Sequence, residues 1–255
     1  MKIATWNVNS LKVRLPQVVE WLSAHAPDVL CLQETKVEDD KFPAGELTAA
    51  GYCPVYSGQK TYNGVAILCR AGPETVIAGI PGYDDPQKRV VAAVIGGVRI
   101  ICVYVPNGES TESDKYRYKL EWLTRLQKWL KVELSAYPRL AVLGDFNIAP
   151  DERDVYDPKA WEGQVLFSPP ERAAFFELLE EGLTDSFRLS DQPEKSFTWW
   201  DYRMNAFKRN MGLRIDHILL SRDLAGNCRS CKIDRDMRAR ERPSDHAPVV
   251  AEIDL

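Results

Sequence analysis

An apolar run that ends abruptly in polar residues constrains the fold of this chain more than any other feature. Leu140 to Leu143 form a short apolar segment typical of a buried strand, and Gly144-Asp145-Phe146-Asn147 follows directly. Asp145 and Asn147 are two residues apart, so in an extended chain their side chains share one face. The glycine before them allows another backbone to approach closely. The pattern predicts an α/β protein with a functional site at this strand end.

Strand-like and helix-like runs continue along the whole chain. Helical spacing indicates one helix around residues 15–22, with Pro16 near its start, and a second over 115–134. A third is predicted from Ser168, where a capping box begins, to Gly182. No low-complexity linker divides the chain, which predicts one domain over residues 1–255. The predicted strands are Lys2–Val8, Val29–Gln33, Val65–Arg70, Val90–Ile95, Arg99–Val105, Arg214–Leu220 and Ala247–Ile253.

Composition and cysteine usage narrow the class of protein. Hydrophobic residues make up 45% of the chain, enough for a sizeable core. No segment approaches the roughly 18 consecutive apolar residues of a membrane span, and the N-terminus becomes polar too early for a secretory signal. A cytoplasmic protein without membrane contact is therefore expected. Cys228 and Cys231 form a lone C-x-x-C, without the second pair or nearby histidines that a zinc site needs.

The charge of the chain is unevenly distributed. The net charge is −4, whereas nucleic-acid-binding proteins are more often basic. Two stretches are locally basic, 201–214 and 229–242. On charge alone both are solvated loops, but each directly precedes an acidic motif. That position favours a basic rim that faces phosphate groups.

Polar side chains stand at the ends of the predicted strands. Each of these residues alone is more often a simple turn residue. Together, their carboxylate and carboxamide oxygens suit Mg²⁺ or Mn²⁺. A histidine beside a carboxylate can hold a phosphate oxygen or move a proton. Such a set can offset the charge of a phosphodiester, activate a water molecule and stabilise a leaving oxygen. The residues are Asn7, Asn9, Glu34, Tyr104, Asp145, Asn147, Asp216, His217, Asp245 and His246.

Motifs in a fixed order identify a resemblance that covers essentially the whole chain. They resemble those of the exonuclease III family of apurinic/apyrimidinic endonucleases, within the endonuclease/exonuclease/phosphatase superfamily. The resemblance implies a four-layered α/β sandwich, with two mixed β-sheets packed face to face and helices on the outside. The motifs are WNVNS at 6–10, LQET at 32–35, YVPNG at 104–108, GDFN at 144–147, RIDH at 214–217 and SDHAPV at 244–249.

The resemblance also implies which residues bind the metal ion. Glu34 is expected to be the main Mg²⁺ ligand, with Mn²⁺ as a substitute, and Asn7 and Asp245 are expected close to it. The remaining candidates for the metal site are Asp145, Asn147 and His246.

Catalytic roles follow from the same resemblance. Asp145 is expected to orient or deprotonate the attacking water, and Asn147 to donate to the phosphoryl oxygens. His246, aligned by Asp216, is expected to contact the scissile phosphate. Tyr104 is expected to stabilise the transition state or the leaving group. Whether Asp145 or His246 acts as the general base stays open at this stage.

Substrate contacts are implied as well. Trp199, Leu213 and Ile215 match positions that line a small apolar pocket for a flipped-out abasic sugar, an arrangement that favours sites without a base. Arg203 matches a position that reaches into the DNA at the lesion. The expected substrate-binding set is completed by Asn9 and Asn107.

The expected function is that of a Mg²⁺-dependent DNA-repair phosphodiesterase, acting as a monomer on duplex DNA with abasic sites or damaged 3′ ends. Glu109-Ser110 stands where some abasic endonucleases carry a basic residue, which favours 3′-end processing. One alternative is a phosphatase for a small phosphorylated molecule or a lipid headgroup, and another is an inactive nucleic-acid-binding module. The basic stretches favour DNA over a small phosphorylated substrate. The complete set of site residues argues against an inactive binding module. No serine lies in a nucleophile elbow, so a triad hydrolase is not supported.

Overall fold

The computed structural model describes all residues 1–255, and its framework is two six-stranded β-sheets. The strands of the first sheet are β1 Lys2–Asn7, β2 Val29–Gln33, β3 Cys53–Ser57, β4 Val65–Cys69, β11 Cys228–Ile233 and β12 Val249–Ile253. Those of the second are β5 Glu74–Ala78, β6 Val90–Ile95, β7 Val98–Tyr104, β8 Leu140–Asp145, β9 Leu183–Asp185 and β10 Asp216–Ser221. The first sheet has the strand order β11-β12-β1-β2-β4-β3 and the second β5-β6-β7-β8-β10-β9.

Each sheet is mixed, with one parallel strand pair at its centre. In the first sheet β1 runs parallel to β2 and antiparallel to β12. In the second, β7 runs parallel to β8, while β10 is antiparallel to β8. The inner faces of the two sheets share a cluster of 23 buried residues, which includes Ile3, Ile67, Ile100 and Leu143. The predicted face-to-face packing of two mixed sheets is confirmed.

Helices cover the outer faces of both sheets and complete the four layers. The helices are α1 Leu11–His25, α2 Ala44–Ala49, α3 Asp114–Ala136, α4 Pro158–Trp161, α5 Pro169–Glu180 and α6 Arg222–Ala225. The buried side of α1 packs on the first sheet through Trp21 and Leu22, and α3 and α5 pack on the second through residues such as Trp122, Leu126 and Phe175. None of the helices has both the length and the hydropathy that a membrane crossing requires.

The topology brings the polar strand ends to one edge of the sandwich. Because β7 and β8 are parallel, they finish side by side, with Tyr104 opposite Asp145. Because β10 is antiparallel to β8, its first residue, Asp216, also faces Asp145. Gly144 makes this packing feasible, since a Cβ atom there would lie 1.9 Å from the carbonyl oxygen of Val103. The glycine before Asp145 is therefore required by the close approach of the neighbouring strand.

Several local predictions differ from the structure. Helix α1 begins at Leu11, so Pro16 lies inside it rather than near its start. Four strands were not predicted, namely β3, β5, β9 and β11, which are short, exposed or at a sheet edge. Cys228 and Cys231 lie on β11, where Cys231 is 2% exposed and belongs to the inner core. Packing in the core accounts for the position of Cys231 without any metal.

Candidate active site

Asp145 lies at the centre of the polar edge, in an almost fully buried position. Its Oδ2 accepts a hydrogen bond from Asn7 Nδ2 at 2.9 Å, and its Oδ1 accepts one from the backbone N–H of Asn147 at 2.8 Å. His246 Nε2 lies 3.8 Å from Asp145 Oδ2. Burial raises the pKa of Asp145 to about 7, although the nearby His246 opposes the shift. A carboxylate with such a pKa can accept a proton near neutral pH.

His246 is held by a second buried carboxylate. Its Nδ1 lies 2.8 Å from Asp216 Oδ2, and the residue is 4% exposed. Burial disfavours the imidazolium, but the negative charges of Asp216 and Asp145 outweigh this effect and raise the pKa of His246 to about 10. The histidine is therefore a cation at neutral pH in the metal-free protein, and a cation suits contact with a phosphate.

Glu34, which directly follows β2, presents its carboxylate toward the same centre. Its Oε1 accepts from Asn7 Nδ2 at 3.0 Å. The ligand atoms of Glu34, Asp145 and His246 all lie within 4.8 Å of one another. Glu34 adopts a left-handed backbone conformation with φ 51°, which is costly for a residue other than glycine and concentrates at functional sites. Two carboxylates beside amide groups are a donor set that fits a hard divalent cation.

Lys36 is a site residue that sequence reasoning missed. Its Nζ lies 2.9 Å from Glu34 Oε2 and donates to Asn9 Oδ1 at 2.5 Å. The signal was its place two residues after Glu34, but a lysine in a polar loop is ordinarily a solvated charge. In the structure its ammonium balances the charge of Glu34 and links Glu34 to Asn9.

Asp245 lies beside the cluster rather than inside it. Its Oδ1 accepts from Asn9 Nδ2 at 3.0 Å, and its Oδ2 accepts from Trp199 Nε1 at 3.0 Å. Both carboxylate oxygens are thus engaged by neighbouring side chains, and they hold Asn9 and Trp199 in place. The function of Asp245 as a metal ligand stays a prediction.

Tyr104 closes another side of the centre. Burial, followed by the charges of Glu34 and Asp145, raises the pKa of its hydroxyl well above the usual value. Arg89 stacks over its ring at 4.7 Å and donates to its backbone carbonyl at 3.1 Å. The phenol therefore stays protonated at physiological pH and is able to donate a hydrogen bond.

Asn147 and Asn107 meet across the ends of β8 and β7. Asn107 Nδ2 donates to Asn147 Oδ1 at 3.1 Å, and Asn147 Nδ2 donates to the carbonyl of Val105 at 3.0 Å. Behind them lies Lys119, a buried residue that sequence reasoning missed. Its signal was a lysine on the buried face of α3, in line with Leu123.

The predicted abasic-sugar residues form a filled apolar cluster. Leu213 is 0% exposed and Ile215 is 2% exposed, and they pack together with Val155 and Phe167. Trp199 lies partly exposed at the edge of this cluster. The structure thus brings the three predicted residues together but leaves no opening to Leu213 or Ile215, and their contact with a sugar stays a prediction.

The basic rim is only partly where the sequence suggested. Arg203 is exposed and pairs with Asp201 at 2.7 Å, and Lys208 and Arg209 are exposed as well. Arg214, however, is buried, with Nε 2.7 Å from Asp154 and Nη1 2.8 Å from Asp185. Its assignment to a phosphate-facing rim was wrong, because two buried carboxylates balance its charge.

Buried Arg238 also lies outside any exposed rim, since it is 7% exposed and donates to the carbonyl of Trp200 at 3.2 Å.

His217, next to Asp216 in sequence, points away from the centre. Its Nδ1 contacts Arg214 Nη1 at 2.9 Å, and its Nε2 lies 2.9 Å from the carbonyl oxygen of Ile148. His217 is therefore part of the buried support behind the site.

His217 is expected to make the fold sensitive to acid. Burial, reinforced by the Arg214 guanidinium, lowers the pKa of His217 to about 4, below the ordinary value of 6.5. Between these two values the unfolded chain binds the proton and the folded chain does not. Stability due to this group is thus complete above pH 6.5 and decreases as the pH falls toward 4, by roughly 3 kcal/mol.

The measurement is urea unfolding of the wild type and of His217→Gln at pH 7.5 and pH 4.5. Asp145 titrates in the same range in both proteins, so the difference between them isolates His217. The wild type is expected to lose more stability than the variant on acidification. Equal losses would contradict the buried neutral state of His217.

The family of the chain follows from comparison with known proteins. The sequence profile described as "Endonuclease/Exonuclease/phosphatase family" matches residues 4–246. Exodeoxyribonuclease III from Haemophilus influenzae is 38% identical, with 99% of each chain covered. The 3′ phosphatase NExo from Neisseria, bound to a product DNA hairpin, has a TM-score of 0.98 at 50% identity, with 100% of each chain covered. An AP endonuclease from Archaeoglobus fulgidus has a TM-score of 0.96 at 40% identity, again with 100% of each chain covered.

The fold and the buried carboxylate–histidine site define a hydrolase, and the chain belongs to the endonuclease/exonuclease/phosphatase family. Within that family its full-length similarity makes it a DNA-repair phosphodiesterase of the exonuclease III type. The sequence-based assignment and the four-layered fold are thereby confirmed. Nucleases of the exonuclease III type are metal-dependent, and the acidic cluster around Glu34 is consistent with that property.

Proposed function

We propose that the chain is a Mg²⁺-dependent enzyme that acts chiefly on the 3′ ends of duplex DNA, as a monomer. It removes 3′-phosphates, 3′-blocking fragments and terminal nucleotides, and it incises abasic sites more slowly. The observation that carries this preference is the closed apolar cluster, in which Leu213 and Ile215 are at most 2% exposed. An extrahelical sugar would have to open that cluster, whereas a strand terminus needs no nucleotide to leave the stack. The similarity to a 3′ phosphatase with bound DNA supports the same preference.

The residues around Asp145 supply the chemistry. A Mg²⁺ ion held by Glu34 and its neighbours would offset the charge of the phosphate. Asp145, fixed by Asn7 and by the Asn147 backbone, accepts a proton from the attacking water. We assign the base to Asp145, because His246 is already protonated at neutral pH.

The phosphate and the leaving oxygen are handled by different groups. The His246 imidazolium, oriented by Asp216, donates to a phosphoryl oxygen, and the Asn147 carboxamide donates to another. Tyr104 keeps its proton over the working pH range and donates to the leaving oxygen. Donors held in a buried site before the substrate arrives lower the barrier, because they need not reorganise during the reaction.

The proposal is tested by comparing rates on three labelled duplexes under identical conditions. One carries a nick with a 3′-phosphate, one is blunt, and one contains a single abasic site. With Mg²⁺, the 3′-phosphate substrate is expected to react at least about tenfold faster than the abasic duplex, a difference of about 1.4 kcal/mol in the barrier, and EDTA should abolish all three reactions. A faster reaction at the abasic site would overturn the 3′-end preference, and turnover of p-nitrophenyl phosphate alone would favour the small-molecule phosphatase.

Replacing Glu34 with Gln is expected to weaken metal binding. The amide keeps the shape of the side chain but removes the negative charge that attracts the cation. The Mg²⁺ concentration for half-maximal rate should rise by about 10–100-fold, in the range found for residues that support metal sites. The measurement is a Mg²⁺ titration of the initial rate.

Glu38→Gln serves as the control for the Glu34 variant. Glu38 lies four residues further along and pairs with the exposed Lys41 at 2.7 Å. Its titration curve should match that of the wild type. An unchanged curve for Glu34→Gln as well would remove Glu34 from the metal site.

A further inference from the structure

A lysine without exposed side-chain surface lies directly behind the ends of β7 and β8. Lys119 extends from α3, and its Nζ donates to the backbone carbonyl of Asn107 at 3.1 Å and to that of Asn147 at 2.7 Å. The same ammonium forms an ion pair with Glu171, which is also fully buried. An ammonium in this place is costly to desolvate, and an apolar residue would satisfy the amphipathic pattern of α3 equally well.

The ion pair is anchored to the start of α5. The Glu171 carboxylate accepts hydrogen bonds from the backbone N–H groups of Leu166 at 3.0 Å and Ser168 at 3.1 Å, and it also contacts the Ser168 hydroxyl. The carboxylate is therefore held from several directions. The position of the Lys119 ammonium relative to α3 and α5 is fixed in consequence.

The two carbonyls that Lys119 holds belong to residues that face the active site. The Asn107 and Asn147 side chains bond to each other at 3.1 Å, and the backbone N–H of Asn147 holds the Asp145 carboxylate at 2.8 Å. Asn147 adopts a left-handed conformation with φ 49°. Such a conformation persists only where neighbouring groups enforce it, and the ammonium on its carbonyl is one of those groups.

We propose that Lys119 is a positioning residue for the phosphodiesterase reaction. Its ammonium sets the separation of the segments after β7 and β8, and thereby the direction of the Asn147 carboxamide and the Asp145 carboxylate. The inference rests on the proposed function only in taking phosphodiester hydrolysis as the reaction that these two side chains perform. Displacement of a reacting group by about 1 Å can lower a rate by about 10²-fold, so a lysine that does not touch the substrate still affects turnover.

A second buried ion pair, which also involves α3, provides a matched control. Arg99, in β7, is 0% exposed and pairs at 2.6 Å with Glu133, near the end of α3. This pair joins the start of β7 to the end of α3, whereas Lys119 lies near the start of α3 and contacts the segment after the end of β7. The test compares Lys119→Met/Glu171→Gln with Arg99→Met/Glu133→Gln, because each double variant removes both charges and leaves no unpaired buried ion.

The experiment measures kcat and KM on whichever labelled duplex the wild type turns over fastest, below the melting temperature of every variant. It also measures amide hydrogen exchange over residues 107–110 and 146–149. For the Lys119 pair we expect kcat to fall at least about tenfold, KM to change less than about threefold, and exchange in both segments to rise. The Arg99 pair should lose stability while kcat and exchange in these segments stay at the wild-type level.

Two outcomes separate this inference from the proposed function. If the Lys119 double variant keeps the kcat and the exchange pattern of the Arg99 control, the lysine is only structural and the inference is overturned. If the wild type prefers abasic over 3′-phosphate DNA, the proposed preference fails, but the kcat comparison between the double variants is still decisive. Hydrogen exchange distinguishes a positioning from a structural lysine without any substrate.

Lys119→Arg provides a further check, since a guanidinium that reaches the two carbonyls should restore part of the lost kcat.

Discussion

Replacing Asp145 with Asn is expected to lower kcat by at least about 10²-fold, the usual contribution of a general base. The amide preserves the size and shape of the side chain but cannot accept the proton of the attacking water. The amide oxygen can still accept from the Asn147 backbone N–H, while the NH2 group takes the place of the oxygen to which Asn7 donates. One hydrogen bond is lost without opening a cavity, so the fold should survive. The measurement is a single-turnover rate on nicked duplex DNA with a 3′-phosphate.

The stability of the folded Asp145→Asn variant provides a second test, independent of activity. Burial raises the pKa of Asp145 to about 7, so the ionised form is disfavoured in the folded state, and stability decreases as the pH rises from the ordinary carboxyl value toward 7. Asp145→Asn removes this cost. The substitution also removes the hydrogen bond from Asn7 and the attraction to the His246 imidazolium, so the melting temperature at pH 8 should stay close to that of the wild type.

Controls distinguish a catalytic from a structural function of Asp145. DNA binding, measured by fluorescence anisotropy without metal, should be retained. Asp191→Asn, at an exposed position, should leave the rate unchanged. A variant that loses both activity and stability would show that Asp145 supports the fold instead.

The positions of the candidate site residues were largely predictable, because these residues follow or begin strands that the sequence marks clearly. Asp145 follows a run of buried apolar residues, and a carboxylate in that position has no packing explanation. Parallel neighbours finish at the same edge, so Tyr104 and Asp145 had to be close once β7 and β8 were adjacent. The sequence did not show that β10 lies beside β8 with Asp216 opposite Asp145. Strand order and register both depend on how the whole chain packs.

Charged residues were the least predictable part of the chain. Arg214 looks like an ordinary solvated cation in sequence, and Lys119 is marked only by its place on the buried face of α3. Each is buried against acidic partners that are distant along the chain. The partner of Lys119 is 52 residues away, and that of Arg214 is 60 residues away. Such pairs are formed by tertiary packing, so the local sequence does not show which acidic residue is the partner.

Dependence on tertiary packing also explains why some strands were not predicted. β3 and β5 have mostly exposed or half-exposed residues, so their hydrophobic pattern is weak, and β9 has only three residues. These strands gain their stability from a neighbour that is already in place. Central strands, in contrast, are buried throughout and are visible as continuous apolar runs.

We expect the buried pair of His246 and Asp216 to set the alkaline limit of activity. Replacing Asp216 with Asn is expected to lower kcat/KM at pH 7.5 by about 10²-fold, within the range of acid–base groups. Burial alone would keep His246 neutral, and the charges of Asp216 and Asp145 are what raise its pKa to about 10. Without the Asp216 charge, the proton is lost at a lower pH, and the phosphate contact changes from a cation to a neutral ring.

The pH–rate profile measures this directly. In the wild type, kcat/KM should decline on the alkaline side as His246 loses its proton, at a pH somewhat below 10 because a bound cation repels the imidazolium. In Asp216→Asn the alkaline decline should move toward neutral pH, while the acidic side, governed by Asp145, shifts much less. Asp185→Asn is unsuitable as a control because it removes one of the two carboxylates that balance buried Arg214. Asp223→Asn, at an exposed position of α6, should reproduce the wild-type profile. An alkaline limb that stays in place would mean that the protonated His246 is not the form that binds the phosphate.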